Sequence, residues 1–272
     1  MANFTLYLKV YVLLFIPFNE SILVYLQKII FSMHQMRVEV WSDVVCPFCY
    51  IGKKNFEKAL VQFEFAKEVV LEWKCFQLDP DFVQNIEDRY NIREELAHKY
   101  RRSLAETDVM LAQITATAES VGLHFDFERA VRFNTYNAHR ILLKAQDEGI
   151  GNQMSEAFFS AYFEQGKDLG NRAELKEIAL KNGLNEKDFD GALEDESFAY
   201  SVKQDIQEAA NLGISGVPFF VFNRKYGVSG AQPPQVFLDS LKKAYKEWKG
   251  TADIKIEHLA DGSSCDINGD CN

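Results

Sequence analysis

Residues 36–49 have the sequence MRVEVWSDVVCPFC. Val38 and Val40 alternate with larger or charged side chains, which is the two-residue period of a β-strand. Pro47 suits a first helical turn, because the N–H group that proline lacks would have no partner in the helix at that position. The segment therefore predicts a strand that runs directly into a helix, with two cysteines at the junction.

These two cysteines, Cys46 and Cys49, have the spacing of a redox pair. The free N–H groups of a first helical turn, together with the positive end of the helix dipole, favour an anion. We therefore expect Cys46 to attack as a thiolate, and Cys49, one turn later, to resolve the mixed disulfide. Two alternatives remain open, half of a zinc site and a pair of inert core thiols. Zinc would need further ligands, and the only other close pair, Cys265 and Cys271, is more than 200 residues away.

Further strands are predicted at both ends of the chain. The first helix is followed by a run rich in β-branched and aromatic residues at 69–76, and similar patterns return at 217–222 and 226–229. A last amphipathic helix follows Pro234. The sheet is therefore expected to combine strands from the beginning and the end of the domain.

The middle of the chain has a helical pattern throughout. From about Arg93 to Leu212 the apolar residues recur at i, i+3 and i+4, which predicts four to six helices. The resulting interpretation is an α/β domain with a large all-helical insertion. The expected parts are an N-terminal extension at 1–35, a sheet domain at 37–82 and 201–249, a helical insertion at 83–200, and a flexible tail with a cysteine pair at 250–272.

The N-terminal extension contains two apolar runs, 10–18 and 22–31, separated by Asn19, Glu20 and Ser21. Glu20 would lie near the centre of a membrane span, where an acid is unfavourable, and no small-x-small cleavage site follows the first run. We expect these residues to lie outside the fold, with Met36 or Met33 as the working start, and the protein to be cytoplasmic. Export, with the extension acting as a signal segment, is the alternative.

Composition excludes several classes of protein. The chain has 272 residues, 47% of them hydrophobic, so it can bury a substantial core. A formal net charge of −10 argues against nucleic acid as a partner. Five cysteines are too few for a disulfide scaffold, and their odd number leaves at least one unpaired within the chain.

A second feature of interest is the Val217-Pro218 dipeptide. Proline is out of place at the start of what otherwise resembles a buried strand, and a cis peptide bond would explain it. In the expected fold this loop lies across from the start of the first helix. Its exposed backbone could there pair with an extended substrate chain.

Five ordered motifs together resemble one protein family, and the match extends from about Arg37 to Lys249. The motifs are WSDVVCPFCYIG at 41–52, FQLDP at 76–80, NTYNAHR at 134–140, GISGVPF at 213–219 and SGAQP at 229–233. They resemble the DsbA-like thioredoxin-fold oxidoreductases, most closely the FrnE-type branch. The resemblance implies a thioredoxin fold with a helical insertion, a redox-active Cys46/Cys49 pair, and Pro218 as a cis-proline facing that pair.

The resemblance also implies a function. A thiol–disulfide oxidoreductase is expected to act on protein substrates, to exchange electrons with glutathione or a thioredoxin system, and to need no bound cofactor or metal. The residues expected at the substrate are Pro47, Phe48, Val217, Pro218 and His139, although a histidine within a helical apolar stripe is more often a hydrogen-bonded packing residue. Some FrnE-type relatives carry an additional C-terminal pair, which suggests an accessory redox role for Cys265 and Cys271.

Two other functions remain open at this point. The related kappa-class glutathione transferases and 2-hydroxychromene-2-carboxylate isomerases use glutathione, with a serine where Cys46 stands, so the retained cysteine argues against that chemistry. A non-catalytic, chaperone-like module would instead use the apolar surface around Phe48 and the groove beside Pro218.

Overall fold

The computed structural model describes residues 35–83 and 91–251. The expectations for the N-terminal extension before Gln35 and for the tail with Cys265 and Cys271 lie outside the described residues. Within the described ranges, no helix has the length and apolar character needed to cross a bilayer.

One mixed sheet of four strands organises the molecule. The strands are β1 (Met36–Ser42), β2 (Val69–Cys75), β3 (Phe219–Phe222) and β4 (Tyr226–Ser229), in the order β2-β1-β3-β4. β1 pairs in parallel with β2 and antiparallel with β3, so strands from both ends of the domain meet in one sheet. This arrangement confirms the predicted thioredoxin-like fold.

Nine helices surround the sheet in the described part of the chain. They are α1 (Pro47–Gln62), α2 (Ile92–Tyr100), α3 (Leu104–Glu119), α4 (Tyr136–Asp147), α5 (Gly151–Phe163), α6 (Arg172–Lys181), α7 (Glu186–Glu194), α8 (Glu196–Asn211) and α9 (Pro234–Thr251). Seven of them lie between β2 and β3, more than the four to six expected. One reason is that α7 and α8 are separated only by Asp195, which ends one helix and caps the next, so the helical period continues across the break.

The sheet is covered on both faces. Val40 on β1 and Phe220 on β3 are register partners on the face that packs against α1 and α9. Phe220 contacts Phe56 of α1 and Phe237 of α9, with ring centroids 5.6 and 4.6 Å apart. Trp41 points to the opposite face, where it packs with residues of α8. Apolar burial on both faces explains why β1 is inaccessible along most of its length.

Side chains of α4 and α8 accept hydrogen bonds from two backbone N–H groups on the free edge of β2. Gln146 of α4 accepts a hydrogen bond from the Trp73 N–H at 2.7 Å, and Asp205 of α8 accepts one from the Cys75 N–H at 3.0 Å. Asp205 also binds the Lys74 ammonium at 3.0 Å. The expected boundary between residues 200 and 201 falls inside α8, and because Asp205 ties this helix to β2, we assign the whole helix to the sheet domain.

Replacing Asp205 should therefore destabilise the fold. Asp205→Ala leaves a buried Cys75 N–H without a partner and removes one of the carboxylates around Lys74, so we expect a loss of about 2–4 kcal/mol in the free energy of unfolding. Denaturant titration would measure the change. Gln204→Ala, at the exposed neighbouring position of α8, is the matched control and should change stability little. Equal stabilities of the two variants would show that Asp205 does not hold the edge of the sheet.

Candidate active site

The two cysteines lie at the turn that joins β1 to α1. Cys46 is the N-cap residue of α1, and Pro47 occupies the first turn. The Cys46 N–H donates to the Asp43 carbonyl at 3.0 Å, and the Cys49 N–H donates to the Cys46 carbonyl at 3.0 Å. These two bonds fix the turn and the start of the helix, so that Cys49 follows Cys46 on the first turn of α1.

Both cysteines are free thiols with little exposed surface, 4% for Cys46 and 1% for Cys49. Burial raises the pKa of Cys49 well above its ordinary value, and the hydrogen bond and charge of Cys46 raise it further. Cys49 is therefore a neutral thiol near neutral pH. Cys46 is the N-cap residue of α1, at the positive end of the helix dipole, although its side chain makes no capping hydrogen bond.

The loop before β3 faces Cys46. The Val217–Pro218 bond is cis, as predicted. The Cys46 thiol donates to the Val217 carbonyl at 3.5 Å, and the Gly230 N–H holds the Pro218 carbonyl from the other side at 2.8 Å. The cysteine turn and the loop before β3, 171 positions apart in sequence, thus meet at the Cys46 sulfur.

Gly52 allows this close approach. It lies on α1 next to Pro218, and a Cβ atom at this position would be 3.1 Å from the Pro218 Cγ and 3.5 Å from the Ala231 Cα. Because the 3.1 Å approach to Pro218 is tighter than most contacts of a Cβ atom, a larger residue would require the proline ring or its loop to move by a few tenths of an ångström. The residue is part of a motif noted in the sequence, but nothing there showed what it packs against.

The expected substrate-binding residues differ in accessibility. Phe48 is 43% exposed, Pro47 and Val217 are half-buried, and Pro218 is buried. Leu78, which follows β2 and was not among the expected residues, is 41% exposed. Its N–H donates to the Asp43 side chain at 2.8 Å, which places it close to the cysteine turn. Phe48 and Leu78 are therefore two exposed apolar residues close to the cysteine turn.

His139 occupies a different position from the one expected. Its side chain is 1% exposed, so it has no surface on which a bound substrate could rest. Its Nε2 atom lies 2.9 Å from the Phe76 carbonyl and 3.3 Å from the Asp43 Oδ1. The ring lies behind the cysteine turn, and we reassign it from substrate contact to the support of that turn.

A metal centre would need several ligating side chains close together. Within residues 35–83 and 91–251, no group of three or more His, Cys, Asp or Glu side chains is placed to hold a metal ion.

Comparison with known proteins identifies relatives over most of the chain. The family model described as "DSBA-like thioredoxin domain" matches residues 37–242. A crystal structure of a probable DsbA oxidoreductase from Streptomyces coelicolor is 34% identical in sequence, with a TM-score of 0.72, covering 88% of this chain and 99% of that one. The uncharacterized protein YwbO of Bacillus subtilis (strain 168) is 25% identical over 215 residues, 78% of this chain and 98% of its own length.

A more distant neighbour shares the fold. The cytosolic disulfide reductase DsbM from Pseudomonas aeruginosa, whose structure is also known with GSH, is 17% identical, with a TM-score of 0.54, and the match covers 78% of this chain and 99% of DsbM. The region of this chain matched by the family model contains β1, the cysteine turn and the cis-proline loop.

The Gly52 contact yields a test of this geometry. We expect Gly52→Ala to displace the Pro218 loop by a few tenths of an ångström and to slow the reaction of Cys46 with a disulfide reagent by about threefold to tenfold. Stopped-flow kinetics would measure the rate, and thermal unfolding would show whether the variant is folded.

Gly191→Ala in α7 is the matched control. A Cβ atom at Gly191 meets no heavy atom within 4 Å, so this variant should react at the wild-type rate and gain about 1 kcal/mol from helix propensity. The role assigned to Gly52 would be refuted if both alanine variants reacted as fast as the wild type.

Proposed function

Because the chain belongs to the DSBA-like thioredoxin domain family, we propose that it catalyses thiol–disulfide exchange on proteins, with Cys46 as the attacking thiol and Cys49 as the resolving thiol. The observation that carries this proposal is the placement of Cys46 at the start of α1, 3.5 Å from the carbonyl that precedes the cis-proline. The family is one of thiol–disulfide oxidoreductases. The membership in its FrnE-type branch stays a prediction.

The exchange runs in two steps. The Cys46 thiolate attacks one sulfur of a substrate disulfide, a bond forms between them, and the other substrate sulfur leaves as a thiolate that takes up a proton. Cys49 then loses its proton and attacks the Cys46 sulfur, which forms the Cys46–Cys49 disulfide and releases the second substrate thiol. The substrate gains two electrons and the protein loses two. In the reverse direction the same steps oxidise a substrate dithiol.

The accessible surface around Cys46 favours an extended protein segment as substrate. Residues 215 and 216 are exposed immediately before the half-buried Val217. Phe48 and Leu78 add exposed apolar surface close to the cysteine turn. We assign Pro47, Phe48 and Val217 to contacts with the segment that carries the disulfide, because an extended chain can pair with exposed loop backbone. Pro218, which is buried, is assigned to the same site as the residue that supports the loop behind Val217.

The electron partner is proposed on chemical grounds. A dithiol pair of this kind exchanges electrons with other thiols or disulfides and needs no bound cofactor. Glutathione is one such partner, and the GSH bound to DsbM accords with it. We propose a cytoplasmic location, which is the location that the name of the cytosolic reductase DsbM gives for that protein. For Cys265 and Cys271 we propose an accessory redox role.

Cysteine variants test the proposal. We expect Cys46→Ser to abolish the reduction of insulin disulfides by the protein, because no thiolate remains to attack. Cys49→Ser should accumulate a mixed disulfide at Cys46, visible by mass spectrometry under non-reducing conditions. The control is Cys75→Ala, since Cys75 is buried in β2, and it should keep activity if it remains folded.

Each alternative function predicts a different behaviour of the Cys46→Ser variant. If Cys46→Ser reduced insulin as fast as the wild type and held an unfolded client equally well, the protein would be a binding module and the exchange proposal would be wrong. If Cys46→Ser kept a glutathione-dependent isomerase activity, the serine chemistry of the related transferases would apply instead.

The direction of exchange depends on the reduction potential of the Cys46–Cys49 couple. Equilibration in glutathione buffers, followed by thiol-specific mass tagging, would measure it. A potential below about −250 mV would indicate a reductase, and one above about −180 mV would indicate an oxidant or isomerase.

A further inference from the structure

The chain that leaves β2 runs beside the end of β1. The Phe76 N–H donates to the Ser42 carbonyl at 3.1 Å, and the Leu78 N–H donates to the Asp43 side chain at 2.8 Å. The Asp43 carbonyl accepts from the Cys46 N–H at 3.0 Å. Two hydrogen bonds, both accepted by Asp43, therefore connect Leu78 to Cys46.

The strand order places Cys46 between two loops. β1, whose end leads into the cysteine turn, lies between β2 and β3 in the sheet. The β2-exit loop, residues 76–82, is therefore on one side of the turn, and the loop that contains Val217 is on the other. In open α/β sheets, ligands bind at the edge where the carboxyl ends of parallel strands meet. A polypeptide whose sulfur reaches Cys46 at this edge therefore has one loop on each side.

The β2-exit loop is held in place by residues that precede α4. The Asn134 side chain accepts a hydrogen bond from the Gln77 amide at 3.2 Å. The Arg132 Nε atom donates to the Asp79 carboxylate at 3.0 Å. Since Gln77 and Asp79 are the two neighbours of Leu78 in the chain, the position of Leu78 is fixed before a substrate binds, which lowers the entropy lost on binding.

Leu78 keeps an exposed side chain although its backbone is fixed. The residue is 41% exposed, and Phe48 on the first turn of α1 is 43% exposed. Covering a leucine side chain removes apolar surface from water and favours binding, and the gain is larger when an apolar group covers it. A substrate side chain that lies on Leu78 is therefore selected by its polarity.

We propose that Leu78 is a specificity-determining residue, which contacts the residue next to the substrate cysteine and favours an apolar side chain there. This inference rests on the proposed function, because it names the class of protein segment that reaches Cys46. Pairing with the backbone at Val217 carries no such preference, since every residue presents the same main chain. The preference acts in the first step, in which the Cys46 thiolate bonds to one substrate sulfur and the other sulfur leaves as a thiolate.

The experiment isolates this first step. The full chain with Cys49→Ser, Cys265→Ser and Cys271→Ser reacts through Cys46, because Cys75 is buried in β2. The probes are the peptides acetyl-Gly-X-Cys-Gly-amide and acetyl-Gly-Cys-X-Gly-amide, with leucine, asparagine, lysine or glutamate as X, each joined through its cysteine to thionitrobenzoate. Attack on the peptide sulfur releases thionitrobenzoate as a coloured thiolate, whose absorbance gives the rate constant. The two series cover both directions of the peptide across the site.

We expect the leucine peptide to react about threefold to tenfold faster than the asparagine peptide, which has a similar size, in at least one series. Leu78→Glu should bring this ratio close to one. It should also raise the ratio of the lysine to the glutamate peptide by about twofold to fivefold, an effect that weakens with added salt. Leu78→Ser, which adds no charge, should lower only the first ratio. Ratios are compared because a new charge near Cys46 changes the rates of all peptides together.

Leu180→Glu is the matched control. Leu180 has a similar exposure, 37%, and lies in the last turn of α6 rather than in either loop beside Cys46. The variant adds the same charge and should leave both ratios at the values of the background protein.

The proposal is overturned if neither series distinguishes leucine from asparagine, if Leu78→Glu changes neither ratio, or if Leu180→Glu changes them equally. A background protein that reacts with every peptide no faster than free cysteine would instead overturn the proposed function itself.

Discussion

The hydrogen bond from the Cys46 N–H to the Asp43 carbonyl closes the turn on which the rest of the site depends. It ends β1 and makes Cys46 the N-cap of α1, so that the helix begins at the sulfur. Cys49 then follows on the first turn, and Gly52, nearly one turn later, meets Pro218. A displacement of this turn would move Cys46, Cys49 and Gly52 together, because only the four residues 43–46 separate β1 from α1.

Much of the fold is predictable from local sequence. β1, β2, α1 and the pair of short strands at the end have patterns of period 2 or 3.6 that their packing then reinforces. The cis bond at Pro218 is predictable from the family resemblance, whereas the base rate of X–Pro bonds alone would favour trans. The helical character of the chain from about Arg93 to Leu212 is also predictable. The break between α7 and α8 is not, since one capping residue interrupts an otherwise continuous pattern.

The supporting residues of the site are harder to predict, because their roles arise only when distant elements meet. Asp43 lies within the segment that defines the cysteine turn, but its importance depends on His139, nearly 100 residues later. Glu39 alternates with apolar residues and would be expected at a solvated face, yet α8 covers that face and Glu39 is buried, with Arg224 3.1 Å away. Burial accordingly raises the pKa of Glu39.

The bonded edge of β2 has a consequence for the proposed exchange on protein substrates. A client bound for disulfide exchange presents unpaired backbone, and an open sheet edge would recruit that backbone as a further strand. Gln146 and Asp205 occupy the outward N–H groups of Trp73 and Cys75, so these two positions of β2 offer no free donor to a further strand. In the proposed exchange, an extended substrate would therefore find these two positions of the border closed to strand addition.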